Sequence, residues 1–372
     1  VIISPSDDSS IDPDVISEAV CRWNKLRQLS VTNLSAGALM HLATLPDLQD
    51  LSLVTSETSI PDHEFAPPHV TAFRSLQSLT ICSPGVAFAT RIVKTWSWPP
   101  ALKTVAIRPK GDDSSSLLED LFHALNQRCH HSSIEGLSLG NCADTSLREQ
   151  VFREGFQVRM EHIEPLLVFS NLITLSLVPS GELDLDNAVV DVMAQAWPRI
   201  QRLELGHPRM PSRPSRVTLQ GLISFAKHCP RLMDLSISLN AGATELEERK
   251  PGSGVYSETL ISLDVLTSPI ECSAKVAAFL SDIFPNLSCL VASRYGAPNP
   301  ADRDALLEWE RKWVKTRYLI TTARAQAHPY RTSETPKIDY DDSHRPYRFL
   351  PDVRLEYRKE NVRRRLALKF EA

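Results

Sequence analysis

The sequence predicts an α/β solenoid: about ten irregular βα repeats, a parallel sheet on the concave side and helices on the convex side. Three observations carry that expectation. The frame aliphatic-x-x-aliphatic-x-aliphatic recurs ten times along the 372 residues. Consecutive copies begin 22 to 38 residues apart, most of them 26 to 32. An apolar or aromatic residue usually stands three places before each copy, often followed by Pro or a small polar residue. Such an apolar side chain closes a helix onto the core, and Pro stops the helix from continuing.

Taken in order, the strand frames start at Leu26, Leu48, Leu76, Leu102, Ile134, Leu172, Ile200, Leu232, Leu260 and, more weakly, Leu287. The junctions ahead of them are Trp23-Asn24, Leu45-Pro46, Phe73-Arg74, Trp98-Pro99-Pro100, Phe169-Ser170, Trp197-Pro198, Cys229-Pro230 and Phe284-Pro285. The copy at Ile134 departs, with His131 in that place. Between strands, residues 37–45, 86–96, 117–127, 189–197, 219–229 and 274–284 carry apolar side chains at helical spacing. Ser35, Asp186, Thr218 and Ser273 are the expected N-cap residues. One such unit cannot bury its apolar face alone, so neighbouring units must stack to build a core.

The longer steps mark insertions, at 140–171, at the Pro- and Arg-rich segment 206–216 and at 241–259. Residues 301–325 read as one amphipathic helix, with Leu306, Trp309, Trp313 and Ile320 near one stripe. The expected division is therefore a solenoid over 1–299, a capping helix over 300–325 and a charged, partly disordered tail over 326–372.

Composition narrows the function. The formal charge is −4 and no apolar run approaches the roughly 18 residues that span a bilayer, so neither membrane nor nucleic acid is an expected partner. Arg363, Arg364 and Arg365 are diluted by flanking Glu356, Glu360 and Glu371, which fits a solvated helix. Seven scattered cysteines without C-x-x-C favour reduced thiols in a cytoplasmic or nuclear protein. The sequence begins at Val1 without Met or a signal pattern, and is read as a piece of a longer protein. No nucleophile elbow, phosphate loop or zinc-protease motif occurs, so no enzymatic activity and no cofactor is expected. Cys129, His130, His131 and Cys142 lack paired zinc spacing, and Asp184 to Asn187 lack the glycine and distal glutamate of a calcium loop, so no metal is expected either.

Strand side chains alternate, which turns the third, fifth and seventh positions of each frame outward from the concave sheet. Most are small: Ser52, Ser78, Thr80, Ala106, Gly136, Ser138, Thr174, Ser176, Ser236 and Ser262. The larger exceptions are Asp50, Arg108, Arg202, Glu204, Asp234 and Asp264, with His207 at a strand exit. These seven are the candidate partner-binding residues. A solvated sheet face with local charge pairing is the competing account of the same residues. Arg202 and Asp234 occupy equivalent positions on adjacent strands and should pair.

The stretches LDLDNAVVDVMAQAWPRIQRLELG (183–206) and VTLQGLISFAKHCPRLMDLSI (217–237) resemble the leucine-rich-repeat region of fungal F-box-type proteins. The resemblance runs over roughly residues 12–320. It implies a substrate-recognition subunit of a cullin-type ubiquitin ligase, whose repeats hold a protein substrate while an F-box docks on the Skp adaptor. This chain contains no F-box; AVCRW (19–23) is the only echo of one, and it fits better as the helix end before the first strand. Skp adaptor and cullin are thus expected partners only through an upstream F-box. The alternative is a leucine-rich-repeat interaction scaffold unrelated to ubiquitination.

Overall fold

All ten frames form strands, and the ten strands form one sheet. The computed structural model describes residues 13–55, 73–95, 102–112, 114–140, 156–206, 213–242, 254–292 and 300–327. Trp98-Pro99-Pro100, Cys142, His207, most of the 206–216 and 241–259 insertions, and the tail from 328 lie outside them. In chain order the strands are β1 (Gln28–Thr32), β2 (Asp50–Val54), β3 (Ser78–Gly85), β4 (Thr104–Asp112), β5 (Gly136–Gly140), β6 (Gln157–Val158), β7 (Thr174–Val178), β8 (Glu182–Leu183), β9 (Arg202–Leu205), β10 (Asp234–Ile237), β11 (Ser262–Asp264) and β12 (Cys289–Val291). The large sheet runs β1-β2-β3-β4-β5-β7-β9-β10-β11-β12, and every pairing in it is parallel.

Register is held at each step by one carbonyl that accepts two backbone N–H groups. Arg27 O accepts from Gln49 N at 2.7 Å and Asp50 N at 3.0 Å. The same arrangement repeats at the carbonyls of Gln49, Gln77, Lys103, Glu135, Ile173, Gln201, Met233 and Ile261. The fourth residue of each frame therefore stacks in one buried column, from Leu29 through Leu51, Leu79, Val105, Leu137, Leu175, Leu203, Leu235 and Leu263 to Leu290. A slip of one residue would turn that whole column out to water.

Helices join the strands: α1 (Pro13–Cys21), α2 (Ala36–Thr44), α3 (Val86–Thr95), α4 (Ser115–Arg128), α5 (Met160–Ile163), α6 (Asn187–Ala196), α7 (Gly221–His228), α8 (Ser273–Ile283) and α9 (Pro300–Ala327). Ser35 and Asp186 cap α2 and α6, their side chains accepting from Ala38 N and Val189 N. Two expected caps do something else. The helix after Thr218 begins only at Gly221, and the Thr218 hydroxyl accepts instead from Asn187 Nδ2 at 2.9 Å. Cys272, not Ser273, precedes α8, and Ser273 Oγ donates to Lys312 O of α9 at 2.9 Å.

Four junction residues, Leu45, Trp197, Cys229 and Phe284, are the C-caps of their helices, and the last three each open a tight turn into the next strand. Trp197 N donates to Met193 O, then Ile200 N donates to Trp197 O; Cys229 with Leu232 and Phe284 with Leu287 repeat the pattern. Pro198, Pro230 and Pro285 thus fill the second place of a four-residue turn, where a φ near −65° is needed. At the departing copy the closing residue is Cys129, the C-cap of α4, two places earlier than expected. His131 is exposed and contacts Phe169 edge-on at 5.6 Å.

A second, shorter set of parallel pairings lies past the strand exits, and nothing in the frame announces it. β6 pairs with β8. Isolated bridges then join Asp186 to Arg216, Thr218 to Asn240 and Ala241 to Ile270. Val158, Leu185, Val217, Leu219, Leu239, Ala241 and Ile270 are buried along it.

Candidate functional site

The outward face of the large sheet carries the candidate residues. Each strand presents the residues before and after its buried column, and over β3, β4, β5 and β7 these are Ser78, Thr80, Thr104, Ala106, Gly136, Ser138, Thr174 and Ser176. Most are exposed or half-buried. Gly136 is buried: a Cβ there would stand 2.9 Å from Thr174 Oγ1 and 3.2 Å from Thr104 Cγ2. Its neighbours' side chains close over it, so a larger residue would have to push them apart.

Charge concentrates on the flanks of this floor. Arg202 Nε lies 3.3 Å from Asp234 Oδ2, as their equivalent register positions demand. Ser176 Oγ donates to Glu204 Oε2 at 2.9 Å, tying β7 to β9. At the other end Gln28 Nε2 donates to Asp50 Oδ2 at 2.6 Å. The sheet thus brings the exposed Arg202 and Glu204 and the half-buried Asp234 into one cluster, with Asp50 far from it along the strand order. Arg108 is half-buried in the middle of β4. His207 lies outside the described residues.

Asp264 is a correction to the outward assignment. It is only 5% exposed, and its Oδ1 accepts from Leu266 N at 3.0 Å. β11 ends at Asp264, so the chain is already turning there and strand alternation no longer places the side chain outside.

A second charged cluster sits on the short ladder. Asp184 Oδ1 accepts from Arg216 Nε at 3.0 Å, and its Oδ2 lies 3.5 Å from Arg159 Nε. Asp186 Oδ2 stands 3.6 Å from Arg216 Nη1 while Oδ1 caps α6. The acidic run read against a calcium loop is therefore engaged by guanidinium groups and a helix end. Its pairing partner Arg216 is 30 or more residues away in sequence, which is why spacing gave no sign of it.

Of the soft ligands near 130, Cys129 is buried, with burial pushing its thiol up to about 12, whereas His130 and His131 are exposed. Asp191 Oδ1 accepts from Ser224 Oγ at 2.7 Å and lies 3.8 Å from His228 Nε2. In that trio the serine bonds the carboxylate, an order different from the Ser-His-Asp relay of acyl transfer. No described helix is long and apolar enough to cross a membrane.

No protein-family model and no curated protein matches the chain. Among solved structures it is similar to a crystal structure of the Rad7 and Elc1 complex in yeast, with 16% identity and a TM-score of 0.44, over 81% of this chain and 78% of that one.

Proposed function

We propose that this protein is a leucine-rich-repeat solenoid whose concave sheet captures a protein partner, as the substrate-binding part of a cullin-type ubiquitin ligase. The observation that carries the recognition role is the outward sheet face: a floor of small, hydroxyl-rich residues continuous over β3 to β7, bordered by the exposed Arg202 and Glu204 and the half-buried Asp234. A flat face of small side chains admits close approach by another backbone, and clustered charges at its edge fix orientation and exclude wrong partners. The ligase role rests on the resemblance of segments 183–206 and 217–237 alone. Under it, the Skp adaptor and cullin are held by an upstream F-box, in the cytoplasm or nucleus, and the sheet is left for the substrate. No enzymatic step and no cofactor belongs to this reading.

Affinity purification of the full-length protein from its own cells tests both parts. The expected result is co-purification of Skp adaptor, cullin and at least one further protein. The variant Glu204→Arg with Asp234→Arg should keep the first two and lose the third, since Glu204 is exposed and Asp234 half-buried on the outward sheet face. Absence of adaptor and cullin from the wild-type eluate removes the ligase role. Equal recovery of the third protein with the variant removes the sheet face.

A further inference from the structure

α9 (Pro300–Ala327) carries two apolar stripes. One is buried: Leu306, Trp313 and Ile320 recur at every seventh position and pack inward. The other faces water. Leu307 is half-buried, Val314 is 37% exposed and Tyr318 is 67% exposed, and the three stand at i, i+7 and i+11, on one side of the helix. Among the described residues no large hydrophobic side chain is more exposed than Tyr318. Val314, four positions before it, is its neighbour on the helix surface.

Cations border this outer stripe. Arg311 falls between Leu307 and Val314, while Lys315 and Arg317 flank Val314 and Tyr318. All three are exposed, and none makes a side-chain hydrogen bond or ion pair among the described residues. The one nearby acid that could answer them is engaged, since Glu308 Oε1 lies 2.7 Å from Lys312 Nζ. No Asp or Glu follows Glu310 in the helix. Arg159, Arg202 and Arg216, by contrast, all face carboxylates. Unmatched charge and bare apolar surface therefore coincide on α9 alone among these arginine sites.

That coincidence restricts the occupant. A two-fold contact with a second copy would set the same three cations against each other. Three cations fall short of the about four to eight that hold a helix on an anionic membrane. A polynucleotide would satisfy the cations and stack on Tyr318, but gives the aliphatic Leu307 and Val314 nothing to pack against. An acidic protein segment supplies both halves. Its carboxylates pair with Arg311, Lys315 and Arg317, and an apolar side chain among them covers Val314 and Tyr318. We propose that the outer face of α9 docks such a segment: an acidic stretch of another protein with aliphatic or aromatic residues among its carboxylates.

Fluorescence anisotropy of a labelled peptide of repeated Glu-Glu-Leu units, titrated with the full chain at low salt, tests this. The expected result is saturable binding, weakened at least about tenfold by Arg311→Glu with Lys315→Glu and at least about threefold by Val314→Ser with Tyr318→Ser. All four positions are exposed, so the melting temperature of each variant should stay close to that of the wild type. Equal affinity for a Glu-Glu-Ser peptide would reduce the site to bare charge and overturn the proposal. Tighter binding of oligothymidylate than of the peptide, or a dimer in sedimentation that Tyr318→Arg dissolves, would assign the face to another occupant and overturn it too. So would absence of peptide binding at about 200 μM protein. Arg202, Glu204 and Asp234 lie on β9 and β10, so none of these results decides the sheet-face reading.

Discussion

Leu266 holds φ at +51°, a left-handed conformation that a bulky L-residue rarely adopts, and it does so while 3% exposed at the exit of β11. Asp264 makes this possible. Its carboxylate accepts the Leu266 N–H two residues on, closing an Asx-type turn inside the core. Asp234 is the same residue type on the neighbouring strand, but its partner is the 60% exposed Arg202 side chain. The two aspartates should therefore behave oppositely when truncated. Asp264→Ala is expected to cost about 1–3 kcal/mol, because it orphans a buried donor at a strained position. Asp234→Ala should cost under about 1 kcal/mol, as exposed ion pairs do. Urea denaturation of both variants measures the difference, with Asp264→Asn restoring most of the loss through its remaining carbonyl. Equal destabilisation by the two alanine variants would show that Asp264 braces nothing. The sequence pattern placed Asp264 outside with Asp234 because strict alternation was carried to the last residue of β11, where the chain already turns.

At the scale of elements, the helix-closing residues do more than punctuate. Trp197 Nε1 donates to Leu166 O at 3.3 Å, and Cys229 Sγ lies 3.5 Å from Ala194 O, so each closing residue also grips the repeat before it. The ten strands and most of these closures were legible because they repeat an unbroken apolar code. The short ladder was not: its pieces are two residues or single bridges, too brief for a period-two pattern, and its buried Val217, Leu219 and Leu239 read as part of the adjoining helix or strand. Cysteine as the closing residue has a chemical consequence. Burial pushes the thiols of Cys129 and Cys229 up to about 12 from an ordinary 9.0. The folded protein therefore keeps two protons that the unfolded chain releases first. Their contribution to stability is complete below about pH 9 and declines as pH rises towards about 12, since there the unfolded state binds fewer protons. Iodoacetamide at about pH 8 should label the exposed Cys21 and spare Cys129 and Cys229 until denaturant is added. The urea midpoint should fall between about pH 9 and pH 11 by less in Cys229→Ala than in wild type. Rapid labelling of Cys229 in the native protein would contradict the placement of its thiol.

Across the whole described molecule, each strand of the large sheet pairs only with its neighbours in strand order, so cohesion passes from one unit to the next and must end somewhere. At the β12 end α9 supplies the ending. Trp313 is 2% exposed and its Nε1 donates to Ser268 O at 2.8 Å; Thr316 is fully buried, and Arg324 Nη2 donates to Pro285 O at 2.6 Å. Together with Ser273 Oγ on Lys312 O, these bonds tie α9 to the chain on both sides of α8. Trp313→Ala removes the largest of the contacts, and truncating a buried tryptophan costs about 3–5 kcal/mol. In a molecule with one central core that loss would lower protection everywhere. In a linear array it should fall on the end of the chain it caps. Amide hydrogen exchange is thus expected to accelerate in α8, β11 and β12, while β2 to β5 exchange as in the wild type. Trp197→Ala, in the middle of the sheet, should instead open the units on both sides of α6. Uniform acceleration across all ten strands in Trp313→Ala would mean that the strands fold as a single cooperative block, and the stacking of independent repeats would have to be abandoned as the source of stability.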